Sequence, residues 1–253
     1  ALAQERHPLI FQRIVPHYRV PLFEKLYEEF GVVVLHSHEK KGEHLRSENM
    51  PQYKSRLLPR FFVRRTPTAM FQWVLPPIKA YKPKIVISEF SLSYVSFWLL
   101  FFFKKYYKYK LIAWTHGIRS KEMLKPFSNW QSKIQLWVYN KVDAVILYSD
   151  NRRELISKKI KTPSKLFVAS NTLNTNELHA IYNSLEQEGK QKIKNELGFA
   201  YKWNLVFIGR LLPEKRIDLL LDAFKLLPEE MDIGLHIIGE GPEEKLISQN
   251  KCV

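Results

Sequence analysis

The chain has 253 residues, 45% of them hydrophobic, with 40 Lys and Arg against 25 Asp and Glu, a formal net charge of +15. That length suits one large domain or two ordinary ones, and the apolar fraction excludes wholesale disorder. The positive balance favours anionic partners, namely nucleic acid, anionic lipid or phosphorylated small molecules, without choosing among them.

The predicted elements alternate between strands and helices. PLIFQRI (8–14) reads as a strand, VPLFEKLYEEF (20–30) as a helix and VVVLHS (32–37) as a strand. PTAMFQWVLPPIKAY (67–81) has helical patterning broken at Pro76 and Pro77. Strands at 84–90, 110–117, 143–150 and 165–170 then alternate with helices at 92–107, 128–141 and 151–160. The strands are continuous Val, Ile and Leu runs, the pattern of a parallel sheet covered on both faces, so the fold class is α/β and doubly wound. Ligands of such sheets sit at the carboxyl ends of the strands. The chain therefore divides into a Rossmann-like domain over 1–172, a polar linker over 173–200 and a second strand–helix–strand domain from 201.

Lone Cys252 excludes an internal disulfide and fits a reducing compartment. The start, ALAQERHPLIFQ, lacks an initiator Met and the pattern of a signal peptide, and the end breaks off after a strand-turn-helix pattern has begun. Both ends are expected to be cut, leaving the second domain truncated. The longest apolar run, 92–103, is twelve residues, short of the ~20 that span a bilayer.

NLVFIGRLLPEKRIDLLLDAF (204–224) carries the strongest functional signal. A buried strand ends in Gly209, which lets a ligand approach the backbone, and Arg210 follows. Lys215 then stands at the mouth of a helix whose amino end favours anions. Two cations and a helix terminus suit a diphosphate; the spacing is equally consistent with solvated loop charges. GLHIIGEGPEEKL repeats the arrangement with Gly239 and Gly241, a pairing common in plain turns.

FIGRLLPEKRIDLLLDAFKLL followed by LHIIGEGPEEKL resembles the opening of the nucleotide-sugar-binding domain of GT-B glycosyltransferases, family 4 of the retaining group 1 type. KPKIVISEF, KLIAWTHGIRS, DAVILYSDNRREL and FVASNTLNT resemble that family's amino-domain strands in order and spacing. The resemblance implies two Rossmann-like domains and transfer of a sugar from a nucleoside diphosphate to a saccharide or lipid-linked acceptor, as in cell-surface polysaccharide synthesis. It implies no metal and no cofactor. Arg210, Lys215 and Gly209 would hold the donor diphosphate. His116 would act at the donor sugar, although a lone strand-end His is also an ordinary structural residue. Tyr18, Arg19, Glu89, Gly117, Gly239 and Gly241 are candidate donor or acceptor contacts.

There are departures from the family pattern. Pro16, His17, Tyr18 and Arg19 stand where the family often has a Gly-Gly loop, and Arg216 stands where it prefers Gly. The family's Glu, seven residues, Glu motif lies further along than Val253. The formal match at Glu188 and Glu196 falls in the charged linker and reads as coincidence. The fragment as given is thus expected to be inactive.

RFFVRR (60–65) and KKYYKYK (104–110) mix cations with aromatics, which suits either a solvated helix end or peripheral docking on an anionic membrane from the cytoplasmic side. Nucleic acid is not expected as a partner, because no helix-turn-helix, zinc-ligand or RNP-like pattern is present. The alternatives carried are a GT-B nucleotide-sugar epimerase and a non-catalytic basic nucleic-acid- or membrane-binding protein.

Overall fold

The structure, a computed structural model, describes residues 7–39, 47–48, 50–51, 54–63, 66–118 and 126–248. They form two compact units that meet in sequence between Asn174 and Thr175.

The first unit runs β1 (Leu9–Phe11), α1 (Val20–Phe30), β2 (Val33–His36), β3 (Ser55–Leu57), β4 (Arg60–Val63), β5 (Thr66–Gln72) and α2 (Leu75–Tyr81). It continues through β6 (Ile85–Glu89), α3 (Val95–Tyr107), β7 (Lys110–Thr115), α4 (Trp130–Lys141), β8 (Ala144–Leu147), α5 (Asp150–Ser157) and β9 (Leu166–Val168). Seven strands make one parallel sheet in the order β3-β2-β1-β6-β7-β8-β9. The order reverses at β1, and the alternating side chains of its strands feed two cores. Leu9 and Phe11 join Phe97, Leu100, Val138 and Ile156 on one face, while Ile10 joins Phe23 of α1 and Trp114 on the other.

The segment 67–81 corrects its sequence reading. Thr66–Gln72 is a strand paired antiparallel with Arg60–Val63, and only Leu75–Tyr81 is helical. Pro76 and Pro77 do not break that helix, because they lie in its first turn, where no intrahelical N–H is needed. Gln72 fastens the hairpin beneath the sheet. Its buried Nε2 donates to the Gln12 carbonyl at 3.0 Å and to Ser37 Oγ at 2.7 Å, and its Oε1 accepts from the Tyr94 hydroxyl.

The second unit opens with α6 (Thr175–Glu188) and α7 (Lys190–Glu196), so the polar stretch 173–200 is mostly helical. β10 (Trp203–Ile208), α8 (Ile217–Lys225), β11 (Ile233–Ile238) and α9 (Glu244–Ser248) follow. β10 and β11 pair in parallel, and Leu211, Ile217, Leu221 and Leu235 form the buried core.

Candidate functional site

In the first unit the loops after β1, β6, β7, β8 and β9 converge on one group of charged and aromatic side chains. Arg19 caps α1 and sends Nη1 to Gln12 Oε1 at 2.7 Å. Its Nη2 donates to the Tyr148 hydroxyl at 2.7 Å and to Asn171 Oδ1 at 3.2 Å. Its guanidinium also lies 4.9 Å from the centre of the Trp114 ring. A single side chain thus ties the loop after β1 to those after β8 and β9. Arg13 donates from Nε to Glu89 Oε1 at 2.8 Å and from its backbone N–H to Glu89 Oε2 at 3.3 Å. Glu89, at the end of β6, is therefore a paired carboxylate. Tyr18 is half-buried and meets His17 edge-on.

His116 follows β7, exposed, with its ring centre 4.5 Å from that of Tyr148. Partial desolvation of the ring lowers its pKa, and the nearby Arg152 lowers it further. Glu89 opposes the shift, while Arg19 and Arg13 add to it. The imidazole is consequently neutral at pH 7 and retains an acceptor nitrogen. Gly117 sets the turn that presents it. Its φ is +74°, and a Cβ there would lie 3.0 Å from Leu147 Cδ2 and 3.2 Å from Ile156 Cδ1.

Arg13, Gln12, Trp114, Tyr148, Arg152 and Asn171 join this group without having been singled out in the sequence. Arg13 and Tyr148 each lie within two residues of a strand's carboxyl end, a position that marks them once the strands are known.

In the second unit the loops after β10 and β11 interlock through backbone. Gly209 N–H donates to the Ile238 carbonyl at 3.0 Å, Leu211 N–H to that of Glu240 at 2.9 Å, and Glu243 N–H to that of Leu211 at 3.1 Å. A Cβ on Gly239 would lie 1.9 Å from the Gly209 carbonyl oxygen, and one on Gly241 2.3 Å from that of Leu211. Both glycines are demanded by close packing of the two loops. Gly209 differs, since a Cβ there would meet only the Phe207 ring at 3.6 Å, an ordinary contact.

Arg210 and Lys215 are exposed on this interlocked loop, and among the described residues neither side chain has a hydrogen-bond or ion-pair partner. Arg216, by contrast, is spoken for: its Nε donates to Asp218 Oδ1 at 2.9 Å in the first turn of α8. Glu188 and Glu196 both pair with Lys192, at 3.1 and 3.7 Å, as exposed helical ion pairs. Among the described residues no group of three or more His, Cys, Asp or Glu is placed to hold a metal ion.

Comparison with solved structures places the architecture. HepE of Anabaena in complex with UDP superposes with a TM-score of 0.56 at 14% identity, over 96% of this chain and 64% of that one. Its complex with UDP-glucose gives 0.53 at 14% identity over the same shares. UDP-GlcNAc 2-epimerase from Neisseria meningitidis bound to UDP-GlcNAc gives 0.51 at 12% identity, over 97% of this chain and 70% of that one. The chain spans 64% of the length of HepE. No curated protein matches it. The fold is GT-B. Residues 189–251 match the family described as glycosyl transferases group 1.

Proposed function

We propose that the protein is a glycosyltransferase that moves a sugar from a nucleoside diphosphate to an acceptor hydroxyl with retention of configuration. The observation that carries this reading is the loop pair of the second unit. Backbone interlock through Gly239 and Gly241 fixes the loop after β10, and that loop presents Arg210 and Lys215 with no side-chain partner among the described residues. Fixed cations suit the charge that develops on a departing nucleoside diphosphate, because they need not reorganise as the bond breaks. Gly209 leaves room beside them. UDP and UDP-sugar complexes of proteins with this fold support a uridine nucleotide as the first donor to try.

Calorimetric titration with UDP tests the assignment. Arg210→Ala with Lys215→Ala should weaken binding by about a hundredfold or more, the worth of two charge-assisted contacts. Equal affinity in the double variant overturns it. The epimerase reading is separated by products, since an epimerase converts a UDP-sugar with no acceptor present and a transferase consumes an acceptor.

The acceptor is a saccharide or lipid-linked saccharide of cell-surface polysaccharide synthesis, reached by peripheral contact with an anionic membrane. Helix α3 supports that contact. Phe102 and Tyr106, four residues apart on one side of the helix, are 67% and 74% exposed. Exposed Lys105 and Lys108 follow at the helix's end, an arrangement suited to head groups over an apolar boundary. Among the described residues no helix is long and apolar enough to cross a membrane. Phe102→Ser with Tyr106→Ser should abolish sedimentation with anionic vesicles at low salt; unchanged sedimentation excludes this face.

A further inference from the structure

We infer that the carboxyl edge of the first unit's sheet is an oxyanion site, built by Arg13, Arg19, His116 and Arg152, that takes a phosphoryl or carboxylate group of the acceptor. The inference rests on the glycosyltransferase reading for the word acceptor, and on the following geometry for the site.

The charges do not balance. His116 feels three guanidiniums, those of Arg152, Arg19 and Arg13, and one carboxylate, that of Glu89. Glu89 is already engaged through both oxygens by Arg13. Arg19 reaches only neutral acceptors, on Gln12, Tyr148 and Asn171. Arg152 Nε donates to the Ile118 backbone carbonyl at 3.2 Å. Two guanidiniums therefore face this edge with no carboxylate partner among the described residues.

The hydrogen bonds do not balance either. Four side-chain polar atoms are buried without a partner among the described residues: Gln12 Nε2, Arg19 Nε, Trp114 Nε1 and the Tyr139 hydroxyl. The first three are all N–H donors, on residues that contact one another here through the Arg19 side chain. Gln12 is 1% exposed and Trp114 6%. Buried donors in native proteins are nearly always paired, and where donors alone are in surplus the missing partner is an acceptor. Excess positive charge narrows that acceptor to an anion, and guanidinium forks match the planar or tetrahedral oxygens of carboxylate and phosphate.

The donor's own diphosphate has its cations in Arg210 and Lys215. This edge is left for the second substrate. Arg19 is held by three neutral bonds and stacked on Trp114, so its charge is fixed before any ligand arrives, which reduces the cost of ordering on binding.

Histidine-selective NMR on the full chain, titrated with inorganic phosphate, tests the site. His116 resonances should shift saturably, and Arg152→Gln should weaken the half-saturation by about tenfold, the worth of one charge-assisted bond. Arg13→Gln, at the exposed rim, provides a second variant and should weaken it as well. Arg210→Ala with Lys215→Ala should leave the phosphate response unchanged, and saturating UDP should not displace phosphate. No saturable shift, or an unaltered response in both arginine variants, overturns the site. Loss of the response in the Arg210/Lys215 variant, or displacement by UDP, assigns the anion to the donor and overturns the acceptor reading. UDP affinity in the same variants reports separately on the transferase reading, so the two can fail independently.

Discussion

The two units repeat one strand–loop–helix plan, yet they hold their loops in different ways. In the first, β1 is buried along its whole length between two apolar clusters. A polar network from Gln72 through Gln12 to Arg19 then carries the order of that core to the sheet edge. In the second, the described core is Leu211, Ile217, Leu221 and Leu235. There the loops are held by backbone meeting backbone at Gly239 and Gly241. Side chains set the loops of the first unit, and close approach of main chains sets those of the second. Amides of β10 should accordingly exchange with solvent faster than those of β1.

The sharpest way to break the second arrangement is Gly239→Ala. Its Cβ would collide with the Gly209 carbonyl, a backbone atom that cannot rotate aside. The expected cost is about 2–4 kcal/mol, confined to the second unit and read by denaturant unfolding with probes in each unit. Gly209→Ala is its control. With only the Phe207 ring at 3.6 Å, it should change stability by no more than about 0.5 kcal/mol while weakening UDP binding. Equal stability losses in the two variants would deny the distinction between a packing glycine and a ligand glycine.

In the first unit the comparable test is Asp143, between α4 and β8. Burial disfavours its charged form, but the Leu111 N–H at 2.9 Å and the Lys104 ammonium at 3.0 Å outweigh that and hold the carboxyl below its usual range. A depressed carboxylate contributes stability above its unfolded pKa, and that stability is lost as pH falls through the folded value. Asp143→Ala should cost about 1–3 kcal/mol at pH 7, leaving the Leu111 N–H without its acceptor. The difference from the unaltered protein should close only at strongly acid pH.

A smaller effect distinguishes the units by pH. His36 and His116 both titrate below the ordinary value, each first through desolvation. Below about pH 6.5 the unfolded chain binds protons that these folded residues refuse, so stability falls on acidification. His36→Asn should flatten that decline in the first unit and leave the second unit's transition unmoved. An equally steep decline in the variant would place the acid-sensitive group elsewhere.

Much of this organisation is legible in the sequence, for a physical reason. Parallel strands covered on both faces must be uninterrupted apolar runs, so β6, β7 and β8 are marked by their own composition, and the residues that follow them are marked by position. The β4–β5 hairpin is not, because Thr66–Gln72 is a strand by virtue of its partner and of buried Gln72, whose N–H and C=O both bond Ser96 Oγ. Arg152 joins the site because β8 lies beside β7, and Asn171 because the Arg19 side chain reaches it from the loop after β1. Gly239 and Gly241 show the other limit. A glycine signals that something comes close, and the sequence does not say whether that something is a ligand or the neighbouring loop.

Arg216 gives the finest test of that last point. It occupies φ +54°, the left-handed region in which a Cβ is strained, at the position where the resembling family prefers Gly. Arg216→Gly relieves the strain but surrenders the exposed pair with Asp218 and adds freedom to the unfolded chain. These contributions oppose one another, so the thermal midpoint should move less than in any variant above. Freed from Arg216, the Asp218 carboxylate would keep only the favourable amino end of α8. UDP binding should weaken only slightly, because Arg216 is paired with Asp218 and has no diphosphate contact in this reading. Weakening as large as that from Lys215→Ala would instead place Arg216 on the diphosphate, and the family's Gly would then mark a difference in ligand contact and not in backbone strain.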